Sequence, residues 1–346
     1  MSKKHRKRLL NVLFILINIM VIWLISQNAF RTDTSMSFSN VLNLWRSHFV
    51  YVLFAFLLPI IALLAEGLKY FYMIYFTTGE KRFLLSLKTA TIGKYYDNIT
   101  PLGSGGQAAQ VIYLYQNGVP SGKAGGITIS AFSMMQIAFS LIALVIFVFF
   151  GNYVTIPGIK IAAYFGSVFA VFIPFLVIVF SVLPKFTSKT IYVLLKVLNV
   201  LKIISNPIQK MKRVISFLER FKHNLYLISQ SMSILISTFL LSVVYQIALF
   251  SIPYFVLKAS GVDVSYIELF VLTVFVYNAI AFIPTPGNSG GAEISFTIIF
   301  SMLTGGLLFW AMLLWRFISY YLLIVLGLLV ILYDTIIKSK KNINNK

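Results

Sequence analysis

Five ionisable side chains lie within or beside long apolar segments of the sequence, where a charge is costly. They are Glu66, Lys69, Asp97, Glu293 and Arg316. A charged side chain inside a membrane span costs about 2.5 to 3.5 kcal/mol on insertion scales, so it requires a partner or a function. Lysine and arginine bind phosphate, whereas carboxylates bind cationic or hydroxylated groups. We therefore expect these residues to converge on a polar cavity that holds a lipid headgroup.

The same side chains also have simpler interpretations. Glu66 and Lys69 are three residues apart on a predicted helix and can pair with each other. Glu293 follows a turn and can cap the helix that begins there, and Arg316 can neutralise Glu293. Lys94 is expected to extend its ammonium group to the inner membrane interface.

A seven-residue pattern, Thr-Pro-x-x-Ser-Gly-Gly, occurs at residues 100 to 106 and again at 285 to 291. Each copy lies between apolar segments, and its proline and glycines interrupt a helix. Irregular backbone at membrane depth is tolerated only where it is buried in protein or lines a wet cavity. Paired interruptions in the two halves of the chain therefore predict a substrate site between them.

Each copy precedes a helical segment, and the start of a helix offers unpaired backbone N–H groups that suit an anion. We expect these two helix starts to favour an anionic lipid group, with the glycines allowing close approach. The serines can cap the helices or contact the ligand. The predicted binding residues in and beside the two copies are Asn98, Pro101, Ser104, Gly105, Gly106, Pro286, Ser289, Gly290 and Gly291.

The composition is that of a membrane protein, because 59% of the 346 residues are hydrophobic and only 11% are charged. There is no cysteine, and the three histidines lie near span ends or in loops, so no metal or other cofactor is expected. The stretch Gly287 to Gly291 fits the elbow of a serine hydrolase. However, no histidine lies in a later span to act as its base, so we do not expect hydrolysis.

The apolar segments predict an all-α polytopic membrane protein with six transmembrane helices and two re-entrant hairpins, in one domain of residues 1 to 346. Each hairpin carries one motif at its tip. Eight full crossings are the alternative. The segment 184 to 230 is predicted to form basic amphipathic helices on the cytoplasmic surface. The six spans are about Leu9 to Phe30, Phe49 to Phe76, Ala124 to Phe150, Ile161 to Leu183, Ser231 to Leu257 and Leu307 to Ile337.

The basic residues predict the orientation. Of 29 lysines and arginines, 23 lie in the segments 1 to 8, 77 to 123, 184 to 230 and 338 to 346. The positive-inside rule places these segments and both termini in the cytoplasm of a multi-pass cell-membrane protein. The first hairpin then enters from the cytoplasm and the second from outside, as in the inverted repeats of many transporters. The basic loops suit anionic phospholipid headgroups better than nucleic acid.

Three stretches of the chain resemble one known family. Asn98 to Gly106 contains Asn-x-x-Pro followed by two glycines, Pro284 to Glu293 is Pro-x-Pro-Gly-x-x-Gly-Gly-x-Glu, and Glu66 to Tyr70 is Glu-x-x-basic-aromatic. These patterns resemble the flippase-like integral membrane domain of lysylphosphatidylglycerol synthases, over essentially the whole chain. Many members have an arginine shortly after the first motif, where this chain has Gln107 and Gln110.

The resemblance implies lipid transport. In full-length members a cytosolic domain transfers lysine from charged tRNA to phosphatidylglycerol, and the membrane domain moves the product to the outer leaflet, which lowers sensitivity to cationic peptides. We expect no aminoacyl transfer here, because the chain contains no segment for the synthase domain. Stand-alone members are thought to move other lipids, including glycolipids. The resemblance supports as site positions Asn98, Pro101, Gly106, Pro286, Gly290, Gly291 and Glu293.

We therefore expect a flippase for a phospholipid or glycolipid of the bacterial cytoplasmic membrane. No Walker A motif occurs, so no ATP site is expected in the chain. Two alternatives remain. One is an accessory membrane subunit that docks a separate lipid synthase or glycosyltransferase through residues 184 to 230. The other is a phosphatidylglycerol lysyltransferase, as the family name implies.

Overall fold

The computed structural model describes residues 36–182, 193, 226–228, 230–281, 283 and 285–344. The regular elements within these ranges are helices. In chain order they are α1 (Phe38–Ser47), α2 (Phe49–Thr78), α3 (Phe83–Ile99), α4 (Gly106–Gln116), α5 (Ser121–Phe150), α6 (Pro157–Val182), α7 (Met232–Ala259), α8 (Tyr266–Ile280), α9 (Gly291–Thr304), α10 (Leu308–Arg316) and α11 (Leu322–Asn344), with a π-helical turn at Phe317–Tyr321.

The long helices confirm the predicted class. Four stretches, namely α2, α5, α7 and the run from Leu308 to Ile337, are long and apolar enough to cross a membrane. Helix α6, with 26 residues, coincides with a further predicted span. The predicted first span, and nearly all of the segment 184 to 230, lie outside the described residues. The chain is an all-α polytopic membrane protein.

Many large apolar side chains point outward, and a set of polar side chains is buried between the helices. Phe149 is 74% exposed and Phe165 is 69% exposed, whereas Thr238 and Ser242 are fully buried. Such an exterior suits lipid, because an apolar surface of this extent is unfavourable in water. The polar side chains between the helices are the ones available for function.

Helices α2 and α7 pack along each other and form the scaffold of the bundle. At their contact Ala62 and Ala65 of α2 meet Tyr245 and Ala248 of α7. Small residues let two helix axes approach closely, which is the usual source of helix association in a bilayer.

Two helical hairpins flank this scaffold. Helices α3 and α4 form the first, which packs against α2, α5 and α11, and helices α8 and α9 form the second, which packs against α6, α7 and α10. Helix α4 has 11 residues and α9 has 14. A full crossing takes about 17 to 25 residues, so α4 and α9 are each shorter than a usual membrane span.

Candidate functional site

The two Thr-Pro-x-x-Ser-Gly-Gly copies form turns of the same shape. The two residues after each proline have positive φ, which is 57° for Leu102, 58° for Gly103, 58° for Gly287 and 54° for Asn288. In both copies the N–H groups of the fourth and fifth residues donate to the carbonyls of the first and second, at 3.1 to 3.2 Å. The left-handed region costs a non-glycine residue about 1 to 2 kcal/mol. Such strain is concentrated at functional sites.

The two turns, which we call the first and second tip, touch each other. Pro101 and Pro286 form an antiparallel β-bridge. Helix α3 ends before Pro101 because Thr100 is extended, as residues that precede proline tend to be. The Oγ1 atom of Thr100 accepts a hydrogen bond from the Gly105 N–H at 2.8 Å and donates one to the Tyr96 carbonyl at 2.7 Å. Two motifs that are far apart in the sequence thus form one site.

Asp97 closes the first tip. Its Oδ1 atom accepts the Gly106 N–H at 3.0 Å, and its Oδ2 atom lies 3.9 Å from Lys94 Nζ. A Cβ atom on Gly106 would lie 2.1 Å from Asp97 Oδ1, so only glycine leaves room for this carboxylate. The Lys94 ammonium lies 4.6 Å from the centre of the Tyr245 ring. Lys94 therefore points inward rather than to the interface as predicted, because a carboxylate and an aromatic face attract it.

Glu293 closes the second tip in an equivalent way. Its Oε2 atom accepts the Gly290 N–H at 2.6 Å, and its Oε1 atom accepts a hydrogen bond from Arg316 Nε at 2.6 Å. Arg316 Nη1 also donates to the Gly287 carbonyl at 3.3 Å. Glu293 and Arg316 are both buried, so this charge-assisted contact is shielded from water. The structure thus places Glu293 in both of its simpler predicted roles.

One N–H group near the start of each following helix, that of Gly106 or Gly290, therefore contacts a carboxylate of the chain, whereas the sequence predicted an anionic ligand there. A carboxylate at a helix start is stabilised by the same partial charge that would attract a phosphate. The positive charges that face the space between the tips come from the side chains of Lys94 and Arg316 rather than from the helix starts.

A cavity of about 320 Å³ lies between the tips. Three charged side chains line it, Lys94, Asp97 and Arg316. Only Asp97, Asn98 and Arg316 among its lining residues were predicted as site residues, because an isolated polar or aromatic residue in an apolar helix leaves no local signal. The other polar and aromatic residues of the lining are Gln107, Phe132, Gln136, Phe139, Tyr245, Gln246, Tyr277, Asn288, Trp315, Ser319 and Tyr320.

The π-helical turn at Phe317–Tyr321 directly follows Arg316. Such turns are frequent at functional sites. Tyr320 Oη donates to the Asn98 carbonyl at 3.2 Å, and Asn98 Nδ2 donates to the Tyr320 carbonyl at 3.5 Å. A Cβ atom on Gly287 would lie 2.0 Å from the Tyr320 ring, and its φ is positive, so this position requires glycine. Tyr320 therefore packs against both hairpins.

Glu66 and Lys69 are not among the residues that line the cavity. Lys69 Nζ is 2.7 Å from Glu66 Oε2, and both side chains are buried. Lys69 also donates to Ser242 of α7 at 3.4 Å. Of the five charged residues expected to converge, Asp97 and Arg316 line the cavity. Glu293 does not line it but contacts Arg316. Glu66 and Lys69 instead pair with each other, as their simpler interpretation predicted.

The serines and the last glycine of the motifs belong to the turns. Ser104 Oγ donates to the Pro101 carbonyl at 2.9 Å and is exposed. Ser289 is buried, and its carbonyl accepts a hydrogen bond from Thr285 Oγ1 at 2.7 Å. Gly291 begins α9. Within the described ranges, no group of three or more His, Cys, Asp or Glu residues could hold a metal ion.

Comparison with known proteins identifies the family. The family described as "Lysylphosphatidylglycerol synthase TM region" matches residues 9–327, which include both motifs. A relative named "UPF0104 membrane protein", from Archaeoglobus fulgidus, is 27% identical over 302 residues, which cover 85% of this chain and 89% of the relative. The chain therefore belongs to the family of the lysylphosphatidylglycerol synthase TM region, whose members are membrane proteins of lipid modification.

Proposed function

We propose that this chain moves lipid headgroups across the membrane through the cavity between the two tips. The observation that carries the proposal is a cavity lined by three charged side chains, beside two irregular tips, within a bundle whose exterior is apolar. A lipid likewise combines a polar headgroup with apolar acyl chains. Its headgroup occupies the cavity while its acyl chains stay in the bilayer beside the bundle.

In this proposal each hairpin enters the membrane from one side and returns to that side. The charge distribution supports cytoplasmic entry of the first hairpin and outer entry of the second. The tips also differ in exposure, since Leu102 of the first is 48% exposed whereas Ser289 of the second is 3% exposed. This difference supports a cavity that opens toward the first hairpin's side, and a second arrangement that opens the other way completes the transport cycle.

The transported lipid in this proposal is a phospholipid or glycolipid, and family membership makes aminoacylated phosphatidylglycerol one candidate. Movement of a headgroup between leaflets changes the charge of the outer surface. Because cationic peptides bind anionic lipid surfaces electrostatically, such movement would alter resistance to them.

The proposal is tested in liposomes that contain the purified full chain. Trace fluorescent phosphatidylglycerol, lysyl-phosphatidylglycerol and a diacylglycerol glycolipid are exposed in turn to an impermeant quencher. We expect the inner-leaflet signal of at least one lipid to decay faster than in protein-free liposomes. If folded protein accelerates none of them, translocation is refuted and the accessory-subunit alternative is favoured.

Asp97→Asn provides the variant that links translocation to the cavity. The amide can still accept the Gly106 N–H but no longer carries the charge that attracts Lys94, so we expect a rate at least about tenfold lower. Glu80→Gln is the matched control, because Glu80 also pairs with a basic side chain, Arg82, but lies on an exposed loop. The control should retain the full rate.

A further inference from the structure

We propose that the cavity is a phosphate site, selective for a phospholipid whose headgroup beyond the phosphate is small and uncharged. This inference rests on the proposed function and names its substrate class. Three observations carry it: the hydrogen-bond partners of the two cations in the lining, the ion pairs that the nearby carboxylates already form, and the size of the cavity.

Arg316 has one donor nitrogen in need of an acceptor. The residue is only 6% exposed, and its Nε and Nη1 atoms bind Glu293 and the Gly287 carbonyl. Its Nη2 atom is buried and has no hydrogen-bond partner among the described residues. An unsatisfied buried donor on a charged group is costly, and because Arg316 lines the cavity, a shift of its guanidinium would bring this nitrogen to an oxygen of a bound anion.

Lys94 is the second cation of the lining, and it bonds to the Tyr245 side chain rather than tightly to a carboxylate. Its Nζ atom is 3.9 Å from Asp97 Oδ2, which is beyond hydrogen-bond distance, and 3.8 Å from the weak acceptor Met135 Sδ. The lining thus carries two cations and one carboxylate. This excess of one positive charge complements a phosphodiester, which carries one negative charge.

Asp97 is the carboxylate of the lining, so an ammonium headgroup would compete with Lys94 for it. Asp97 accepts the Gly106 N–H and faces Lys94, while Glu293 is bound to Arg316. The aromatic faces are also in use, because Lys94 lies over the Tyr245 ring and Arg316 lies 5.2 Å from the Trp315 and Tyr320 rings. A lysyl group would therefore meet mainly like charge in this cavity.

The rest of the lining suits hydroxyl groups. Neutral amides and a hydroxyl supply both donors and acceptors there, from Gln107, Gln136, Gln246, Asn288 and Ser319. A volume of about 320 Å³ is at the small end of the range of ligand pockets. A phosphate with a glycerol or one sugar ring suits a cavity of this size.

Binding to the purified full chain in detergent tests this inference. Thermal unfolding is followed while water-soluble dihexanoyl lipids are titrated, since a ligand of the folded state raises Tm with its concentration. The probes are phosphatidylglycerol, lysyl-phosphatidylglycerol, a neutral glucosyl-diacylglycerol and glycerol phosphate without acyl chains. We expect phosphatidylglycerol to bind at least about tenfold more tightly than the other three.

Arg316→Lys retains the charge that faces Glu293 but removes the Nη2 donor. We expect it to weaken phosphatidylglycerol binding about 10- to 100-fold, as loss of a hydrogen bond to a charged group does. The matched control is Arg46→Lys, at an exposed arginine away from the cavity, which should bind normally. If Arg316→Lys does not fold, Lys94→Gln removes the other cation and should weaken binding by a similar factor.

Unchanged binding in Arg316→Lys or in folded Lys94→Gln would overturn the phosphate site, as would equal or tighter binding of lysyl-phosphatidylglycerol or of the glycolipid. Equal binding of glycerol phosphate would overturn the lipid assignment in favour of a soluble phosphate ester. The two proposals fail separately. Arg316-dependent binding of a lipid that is never translocated refutes translocation alone, whereas translocation unaffected by Arg316→Lys refutes the phosphate site alone.

Discussion

Two buried ion pairs in this protein have similar contacts but different surroundings. Glu293 and Arg316 are 2.6 Å apart, and Arg316 lines the cavity. Glu66 and Lys69 are 2.7 Å apart and are not among its lining residues. Removal of one member of a buried pair leaves an uncompensated charge, whereas replacement of both members by neutral groups is often close to neutral for stability. The two pairs therefore allow folding to be separated from function.

We expect Glu293→Gln alone to destabilise the protein by about 3 to 5 kcal/mol, because Arg316 is left buried without its carboxylate. The double variant Glu293→Gln with Arg316→Met should regain stability but translocate at the background rate. The matched double variant Glu66→Gln with Lys69→Met should retain both properties. Thermal unfolding and the quencher assay measure the two effects. Equal loss of translocation in both double variants would show that neither pair has a specific part in transport.

At the scale of elements, each hairpin consists of two short helices joined by a strained tip. The tips are held by the same hydrogen-bond pattern and meet at the bridge between Pro101 and Pro286. Each tip is also secured by one carboxylate, from Asp97 or Glu293. Transport by alternating access requires the hairpins to move relative to each other, so this bridge is a contact expected to break.

A disulfide between the tips tests that motion. Paired residues of antiparallel strands have Cα atoms about 4.5 to 5.5 Å apart, within the range that a disulfide spans, so Pro101→Cys with Pro286→Cys should cross-link on mild oxidation. The chain has no cysteine of its own, so the background is clean. Translocation should stop on oxidation and return on reduction, while the two single-cysteine variants are unaffected. Full activity of the cross-linked protein would mean that the tips stay together during transport.

At the scale of the whole molecule, the charge distribution predicts which loops face the cytoplasm. Glu80 follows α2, Asn152 precedes α6, and both residues are exposed. The predicted orientation places them on opposite sides of the membrane. In cells, a cysteine at Asn152 should react with an impermeant maleimide, whereas one at Glu80 should react only after permeabilisation. The reverse pattern would invert the orientation and with it the entry side of each hairpin.

Much of this architecture could be predicted because its causes are local. A membrane span depends on the hydrophobicity of about 20 consecutive residues, and predicted spans such as Phe49 to Phe76 coincide closely with observed helices. The tips were predictable because proline, serine and glycines stand together there, whereas a single proline such as Pro59 or Pro253 lies within a continuous helix. The repeat at residues 100 to 106 and 285 to 291 therefore indicated two equivalent turns, and the structure has them.

The pairing of charges could not be predicted in the same way. Lys94 points into the cavity rather than to the interface, since its surroundings come from Asp97 in its own helix and from Tyr245 in α7. Whether Glu66 and Lys69 faced the cavity or each other depended on how α2 rotates against α7. Hydrophobic patterns and breakers act within one segment, whereas the neighbours of a buried charge come from several segments. The order of spans and turns was thus encoded locally, and the contents of the cavity arose only when the helices packed.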